Sequence, residues 1–346
     1  MEPMNRSTGE VLVNARFAGR RVTGVERFAG EVVRCLDGSA RLIRPPRLLR
    51  GWAGQVWEQL VLPLRVPPGA PLWSPANTGP LAVREQAVSI HDLSPLDHPE
   101  WFAPAFALWY RLLLPALARR ARRVIVPSAF TARSLRRRFN LAEEKLVLAP
   151  GSVDPARFHP VDPQPVRRRY NLPRRYLLFV GSLQPRKNLS GLLAALETLQ
   201  QRFPEVELVA AGAESPHFRR DGLDAGKTRV RFLGYVPDEV LPALYSGAEA
   251  FVLPSWYEGF GLPVLEAMAC GCPVAASCAG SLPEVVGEAG LLFDPAVRED
   301  IERRLAALLA DAGLRQELRQ RGLERAGLFS WERSAGLIDD AIRGLR

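Results

Sequence analysis

The chain has 346 residues, 47% hydrophobic and 24% charged, with a formal net charge of +9 and a pI of about 9.9. That length predicts two domains of ~150 residues each, and no apolar run reaches the ~18 residues of a membrane-spanning helix. The opening MEPMNRSTGEVLVNARF carries Glu2 and Glu10 around a short apolar stretch at 11–13, which reads as no signal peptide and sets the expected location in the cytoplasm.

The first expected strand, 11–14 (VLVN), leads into RFAGRRVTGVERFAG (16–30) and a helix over 24–36. Gly24 and Val25 form an amide-rich turn that can approach a phosphate. The turn lacks the GxGxxG pattern, and Arg44 stands about where a ribose-binding carboxylate would close a dinucleotide site, so a dinucleotide enzyme is disfavoured. Segment 52–64 carries Trp52, Trp57 and several leucines. A strand over 88–92 (VSIHD) ends in His91 and Asp92, and a histidine in that place either faces ligand or satisfies its own loop. A helix over 103–122 runs into RRARR (119–123), and helix 129–139, after strand 123–128, contains RSLRRR (133–138).

After a strand at 145–150, the stretch GSVDPARFHPVDPQPVRRRYNLP (151–173) has five prolines and no apolar period, the mark of a linker. Strand 176–181 then ends in GSLQPRKN, where Gly181 and Ser182 open a turn and Arg186 and Lys187 precede Asn188, a candidate N-cap for helix 188–203. Lysine occurs only at 145, 187 and 227, so Lys187 stands out in a chain whose positive charge is nearly all arginine. Two fixed cations at a helix N-terminus suit a diphosphate; a solvated Arg-Lys pair is the plainer reading. Strands at 206–212, 230–236 and 250–255 follow, the last running into SWYEGFG. There Glu258 precedes a helix over 263–270, Pro263 fits its first position, and Glu266 falls in its first turn. The amides of Gly259, Phe260, Gly261 and Leu262 can face an anion or sugar hydroxyls, while Glu266 alone also fits simple compensation of the helix dipole. A strand at 273–277, a helix at 298–311 and a helical tail WERSAGLIDDAIRGL complete the series.

Alternating strands and helices with strands apolar throughout predict parallel sheets covered on both faces: an α/β chain of two Rossmann-like domains facing a cleft, about 1–165 and 172–330. Whether 331–346 packs back on the first domain is left open by its periodicity. Cys35, Cys270, Cys272 and Cys278 suit neither a zinc site nor a disulfide framework and read as buried, reduced thiols. In open α/β sheets ligands sit beyond the carboxyl ends of the strands, which selects the loops after 14, 91, 181, 212, 236 and 255.

Together, GSLQPRKN, the Glu-x7-Glu spacing of Glu258 and Glu266 within PSWYEGFGLPVLEAMACGCPVAAS, the 16–30 loop, IHDLSPLDHPEWF and SLPEVVGEAGLLFDP resemble the retaining glycosyltransferases of family 4, with the GT-B fold. WEQLVLPL and WSPANTGPL look most like the mannosyl- and rhamnosyl-transferring members that build surface polysaccharides. The resemblance implies transfer of a hexose, mannose from GDP-mannose foremost, to a glycan or lipid-linked acceptor, with no metal and no cofactor beyond the nucleotide sugar. It implies that Arg186 and Lys187 neutralise the donor diphosphate, Glu266 binds ribose hydroxyls, and Glu258 with the Phe260–Gly261–Leu262 backbone holds the donor sugar. Gly181, Ser182 and Gly259 would line the same site, Gly24 and Val25 would cover the phosphate, His91 would contact the donor sugar or also the acceptor, and the base would sit near Gly234, Tyr235 and Val236. A UDP- or dTDP-sugar transferase and an epimerase on the same fold remain alternatives, as does a phosphorylase, which would need a second phosphate site. A nucleic-acid partner is disfavoured because no aromatics interleave with the basic residues in these loops. Segment 52–64 and the arginine runs read either as peripheral contact with an anionic membrane or as packed helices with a solvated arginine face.

Overall fold

The structure is a computed structural model that describes residues 10–19, 23–36, 38–46, 49, 51–212 and 228–345. The opening nonapeptide, Arg20–Val22 of the 16–30 loop and Lys227 lie outside the described residues. The chain divides into two compact units: unit 1 comprises Met1–Leu93, Leu108–Gly151 and Trp331–Arg346, and unit 2 comprises Ser94–Ala107 and Ser152–Ser330. The division thus falls at 151/152, one residue into the expected linker, and segment 94–107 groups with unit 2. Part of that linker is helical.

Unit 1 is built on a six-stranded parallel sheet of β1 (Val11–Asn14), β2 (Ala40–Ile43), β3 (Leu72–Ser74), β4 (Gln86–Ser89), β5 (Arg123–Val126) and β6 (Leu146–Leu148), in the order β2-β1-β3-β4-β5-β6. Its helices are α1 (Gly24–Cys35), α2 (Trp52–Leu60) and α3 (Leu62–Arg65) before β4. The short α4 (Ser94–Asp97) belongs to unit 2, and α5 (Pro104–Arg120) carries the chain back into unit 1, where α6 (Ala129–Phe139) precedes β6. β1, β4 and β5 are almost wholly buried, as strands covered on both faces must be. α2 and α3 cover the β1–β3 side through Trp57 and Leu62, which pack with Leu12, Ile43 and Leu72.

Unit 2 repeats the plan. Its strands are β7 (Arg175–Val180), β8 (Val206–Ala211), β9 (Val230–Gly234), β10 (Ala250–Leu253), β11 (Val274–Ser277) and β12 (Leu291–Phe293), in the order β12-β11-β10-β7-β8-β9, all parallel. The helices are α7 (Gln164–Arg169), α8 (Leu189–Arg202), α9 (Leu241–Ser246), α10 (Leu262–Ala269), α11 (Leu282–Val286), α12 (Arg298–Ala310) and α13 (Ala312–Ala326). The final helix, α14 (Trp331–Arg343), belongs to unit 1, where Trp331 meets Phe28 of α1 edge-to-face at 5.6 Å and Ser334 Oγ donates to Pro150 O at 2.6 Å.

The strand order fixes where a site can form in unit 2. β7 is flanked by β8, which follows it directly, and by β10, which returns after two crossovers, with Ala250 opposite Leu177. The succession reverses between β7 and β10, and at such a switch the loops leaving the two strands diverge to opposite faces and open a crevice. Those loops are 181–188 and 254–261.

Some elements differ from the sequence reading. β4 ends at Ser89, so His91 lies two residues beyond the strand rather than in it. α10 starts at Leu262 behind Gly261, whose φ of +104° makes it the N-cap; Pro263 is therefore the second helical residue and Glu266 lies past the first turn. Cys270 and Cys272 are buried, but Cys35 is half-buried and Cys278 exposed, which corrects the expectation of four buried thiols. No helix among the described residues is long and apolar enough to cross a membrane.

Candidate functional site

The 181–188 loop begins where three glycines end adjacent strands. Gly181 N–H donates to Ala211 O at 2.9 Å and Gly212 N–H to Gly234 O at 2.7 Å, so the carboxyl ends of β7, β8 and β9 are laced by backbone. A Cβ on Gly212, at φ +153°, would stand 1.8 Å from Gly181 O, a contact only glycine permits. Ser182 accepts a hydrogen bond from Gln184 Nε2 at 2.7 Å. Residues 185–187 make a single tight turn, and Asn188 enters α8 in the left-handed region, φ +51°. Asn188 thus occupies the N-cap position, but its side chain makes no cap; its amide donates to Pro295 O at 3.1 Å.

The turn delivers both cations to Glu258. Lys187 Nζ lies 2.5 Å from Glu258 Oε1, and one Arg186 guanidinium nitrogen is 3.1 Å from Oε2 and 3.1 Å from Tyr257 O. Ser255 Oγ adds a third donor to Oε1 at 2.7 Å. Lys187 and Glu258 are only 6% and 5% exposed, so this is a buried ion pair. Burial alone would raise the Glu258 carboxyl, but the charges of Lys187 and Arg186, with hydrogen bonds from Lys187 and Ser255, outweigh it and bring it down to about 2. The carboxylate is therefore ionised at neutral pH and holds two cations at the switch between β7 and β10.

The 254–261 loop is pinned from below. Trp256 N–H donates to Arg186 O at 2.9 Å, which joins the two loops by backbone as well as by charge. The single hydroxyl proton of Ser281 is shared between Glu258 O and Phe260 O, 3.0 and 2.9 Å from Oγ, and its N–H donates to Glu258 O at 3.1 Å. Gly280, φ +65°, passes so close beneath that a Cβ there would lie 2.6 Å from Glu258 O. Gly259, Phe260, Gly261 and Leu262 complete this fixed turn into α10, with Phe260 packed edge-to-face on Phe329 at 5.9 Å. Glu266 is buried on α10 and accepts a hydrogen bond from Tyr245 OH of α9 at 3.0 Å. On the far side of the turn Tyr257 OH donates to Asp97 at 3.1 Å, and its ring meets His98 at 5.8 Å. Beyond β9, Tyr235 is half exposed and Val236 buried.

The remaining expected residues belong to unit 1. Gly24 and Val25 are the first two residues of α1; Thr23 precedes them, and Glu26 accepts from the Thr23 N–H at 3.3 Å and from the Thr23 hydroxyl. His91 is nearly buried: its N–H donates to Asn77 Oδ1 at 2.6 Å, its Nε2 lies 2.7 Å from Pro75 O, and Phe28 meets its ring edge at 4.9 Å. A carbonyl at Nε2 selects the Nε2–H tautomer. Burial lowers its pKa, partly countered by the Pro75 hydrogen bond and by Asp92 and Glu26, so the ring is neutral near pH 7.

Unit 1 also holds a polar network that the sequence did not announce. Glu58 of α2 is fully buried and accepts from Asn14 Nδ2 (2.7 Å), Arg16 Nε (2.9 Å) and Thr78 Oγ1 (3.0 Å), while Arg16 also donates to Thr78 at 2.5 Å. These residues gather at the carboxyl end of β1, of which Asn14 is the last residue. In unit 2 the unforeseen residues are Ser255, Ser281, Tyr245 and Gly280. Ser255, one helical turn's spacing before Glu258, is the one a local pattern can suggest; the others arrive from distant segments. Among the described residues no group of three or more His, Cys, Asp or Glu side chains is placed to hold a metal ion.

Comparison with known proteins adds independent information. Residues 164–325 match the family model "Glycosyl transferases group 1" and residues 70–157 match "Glycosyltransferase Family 4". The chain is 38% identical over 259 residues to O-antigen chain mannosyltransferase B of Escherichia coli, a match spanning 72% of this chain and 68% of that one. It is 35% identical over 190 residues to the serotype-specific mannosyltransferase WbdA of Escherichia coli, covering 52% of this chain but only 23% of WbdA. The fold is similar to that of sucrose-phosphate synthase from Thermosynechococcus elongatus, with a TM-score of 0.75, 23% identity, and 98% of this chain and 99% of that one covered.

Proposed function

The chain belongs to the glycosyltransferases of group 1 and family 4, with two parallel six-stranded sheets in the GT-B manner, and from that premise we propose that it transfers mannose from GDP-mannose to a glycan or lipid-linked acceptor with retention at the anomeric carbon. The observation that carries this reading is the Arg186–Lys187–Glu258 ion cluster at the strand-order switch of unit 2. Two cations, the buried Lys187 and the part-buried Arg186, both paired to one carboxylate, are preorganised where negative charge must grow on a departing nucleoside diphosphate. The mannosyl assignment is supported by the mannosyltransferase relatives.

In this reading the bond between the sugar C1 and the β-phosphate oxygen breaks with its electron pair kept on that oxygen. Arg186 and Lys187 stabilise the resulting charge. The acceptor hydroxyl oxygen bonds C1 from the same face, and its proton passes to the phosphate oxygen. Glu258 is positioned by three donors, and a carboxylate has about four acceptor sites, which leaves capacity for one sugar hydroxyl. Glu266, buttressed by Tyr245, takes the ribose hydroxyls; the 259–262 backbone faces the donor; Tyr235 and Val236 flank the base. His91, neutral, offers hydrogen bonding to the sugar rather than charge, and Gly24 and Val25 offer amides to phosphate. With two cations supplied by the protein, the reaction needs no metal.

The test is a panel of nucleotide sugars, scored for binding by calorimetry and for product anomer by NMR, with and without EDTA. Expected are saturable binding of one nucleotide, an α-linked mannoside, indifference to EDTA, and loss of nucleotide affinity by ~10–100-fold in Lys187→Ala. Transfer from UDP- or dTDP-sugars alone overturns the mannosyl assignment. Unaltered affinity in Lys187→Ala overturns the clamp.

A further inference from the structure

Half of the exposed large hydrophobic side chains among the described residues crowd onto the α2–α3 segment and α5 in unit 1. Trp52, Val56, Leu60 and Leu64 follow one another at four-residue spacing along α2 and α3, with Val61 beside them, and Leu108 and Leu112 share the same spacing on α5. They are 37–86% exposed, Leu64 the most. Four-residue spacing puts each row on one helix face. The rows start from a common junction, because Trp52 meets Trp109 of α5 edge-to-face at 5.7 Å. Trp57, in contrast, is 2% exposed and belongs to the core, so it takes no part in this surface.

The outward charge carried by these two segments themselves has one sign, with Arg122, beyond the α5 row, paired to Glu85. Segment 51–66 contains a single carboxylate, Glu58, which faces inward to Arg16, and its outward cation is Arg65. Segment 104–123 contains five arginines and no carboxylate, with Arg111 exposed between Leu108 and Leu112. α2 is thus inverted relative to an ordinary surface helix: its charged residue points in and its apolar row points out. A patch of this kind serves an apolar partner, and the exposed Arg65 and Arg111 beside the rows select one with negative charge at its rim.

We propose that the α2–α3 and α5 rows form a docking face for an anionic lipid bilayer, the apolar side chains entering the headgroup–acyl boundary and Arg65 and Arg111 meeting lipid phosphates. A second copy of the chain is disfavoured as occupant, because a two-fold contact sets identical surfaces against each other and would oppose arginine to arginine. The face is independent of donor chemistry and stands whichever sugar is transferred.

The test is sedimentation of the full chain with large unilamellar vesicles of phosphatidylcholine, with or without ~30% phosphatidylglycerol. Expected is salt-sensitive binding that requires the anionic lipid. Leu60→Glu with Leu64→Glu lowers partitioning by ~100-fold or more, and Arg111→Glu lowers it by ~25-fold. Leu328→Glu, at an equally exposed leucine of unit 2, leaves it unchanged. Leu112→Glu repeats the test on the other helix should the double variant lose its native circular dichroism. Wild-type binding by the folded Leu60/Leu64 or Leu112 variants, or no binding by the wild type, overturns the proposal. So does a lipid-free dimer in sedimentation equilibrium that the same substitutions dissociate.

Discussion

Replacing Lys187 by methionine isolates the ion cluster, because the stem is kept and only the charge is lost. Lys187 Nζ is 2.5 Å from Glu258 Oε1 with both side chains buried, and breaking such a pair ordinarily costs about 3–5 kcal/mol. Arg186 remains 3.1 Å from the other oxygen and Ser255 Oγ 2.7 Å from the first, so the loss falls at the low end, about 3 kcal/mol. For a unit of this size that lowers Tm by roughly 6–12 °C at pH 7. The acid limb gives a second readout. In the wild type Glu258 is held at about 2 against an ordinary 4.5, so the unfolded chain takes up a proton there before the native chain does. Its stabilisation is complete above pH 4.5 and is lost as pH falls through about 2. Burial works against this and Lys187 is the largest influence in its favour; without Lys187 the carboxyl rises and acid unfolding begins at higher pH. Differential scanning calorimetry and an acid titration followed by near-UV circular dichroism measure both. A Tm within ~1 °C of wild type together with an unmoved acid midpoint would refute the argument.

Gly212→Ala is expected to destabilise by ~3 kcal/mol or more, read in urea unfolding, because its Cβ meets Gly181 O at 1.8 Å in a backbone region closed to alanine. Glu58→Gln leaves the buried Arg16 guanidinium without its counter-charge, and thermal unfolding is expected to shift by the equivalent of ~3 kcal/mol; a shift below ~0.5 kcal/mol would mean the network is dispensable. His91, its pKa lowered by burial, stays neutral in the native chain as the unfolded imidazole protonates near 6.5, so its contribution to stability is complete above pH 6.5 and declines below it. His91→Gln is expected to flatten that decline, and an NMR titration of the His91 ring is expected to show no inflection between about pH 6.5 and 8.

The alternation of strands and helices was legible because most strands are short apolar runs closed by Gly, Pro or Ser. β2 escaped notice because Arg41 interrupts it at the sheet edge, and β3 and β12 because three residues carry no period. α2 escaped because its core face holds Gly54, Trp57 and Glu58 while its solvent face is apolar, which cancels the expected pattern. Arg186, Lys187, Glu258 and Glu266 were all visible as chemistry at strand ends. Their pairing was not: Lys187 and Glu258 are 71 positions apart, and only the neighbourhood of β7 and β10 brings them together. The supports from Ser281 and Tyr245 depend on tertiary placement in the same way.

That neighbourhood also has a kinetic meaning. β10 can zip onto β7 only after the chain between them has closed a long loop, so the cations and their carboxylate meet late as unit 2 forms. A half-folded chain would carry Arg186 and Lys187 on one side and Glu258 elsewhere, with the cluster unformed. On the proposed reading, affinity for a nucleoside diphosphate would report completed assembly of the second sheet, and a ligand that engages the cluster would act as a latch on it.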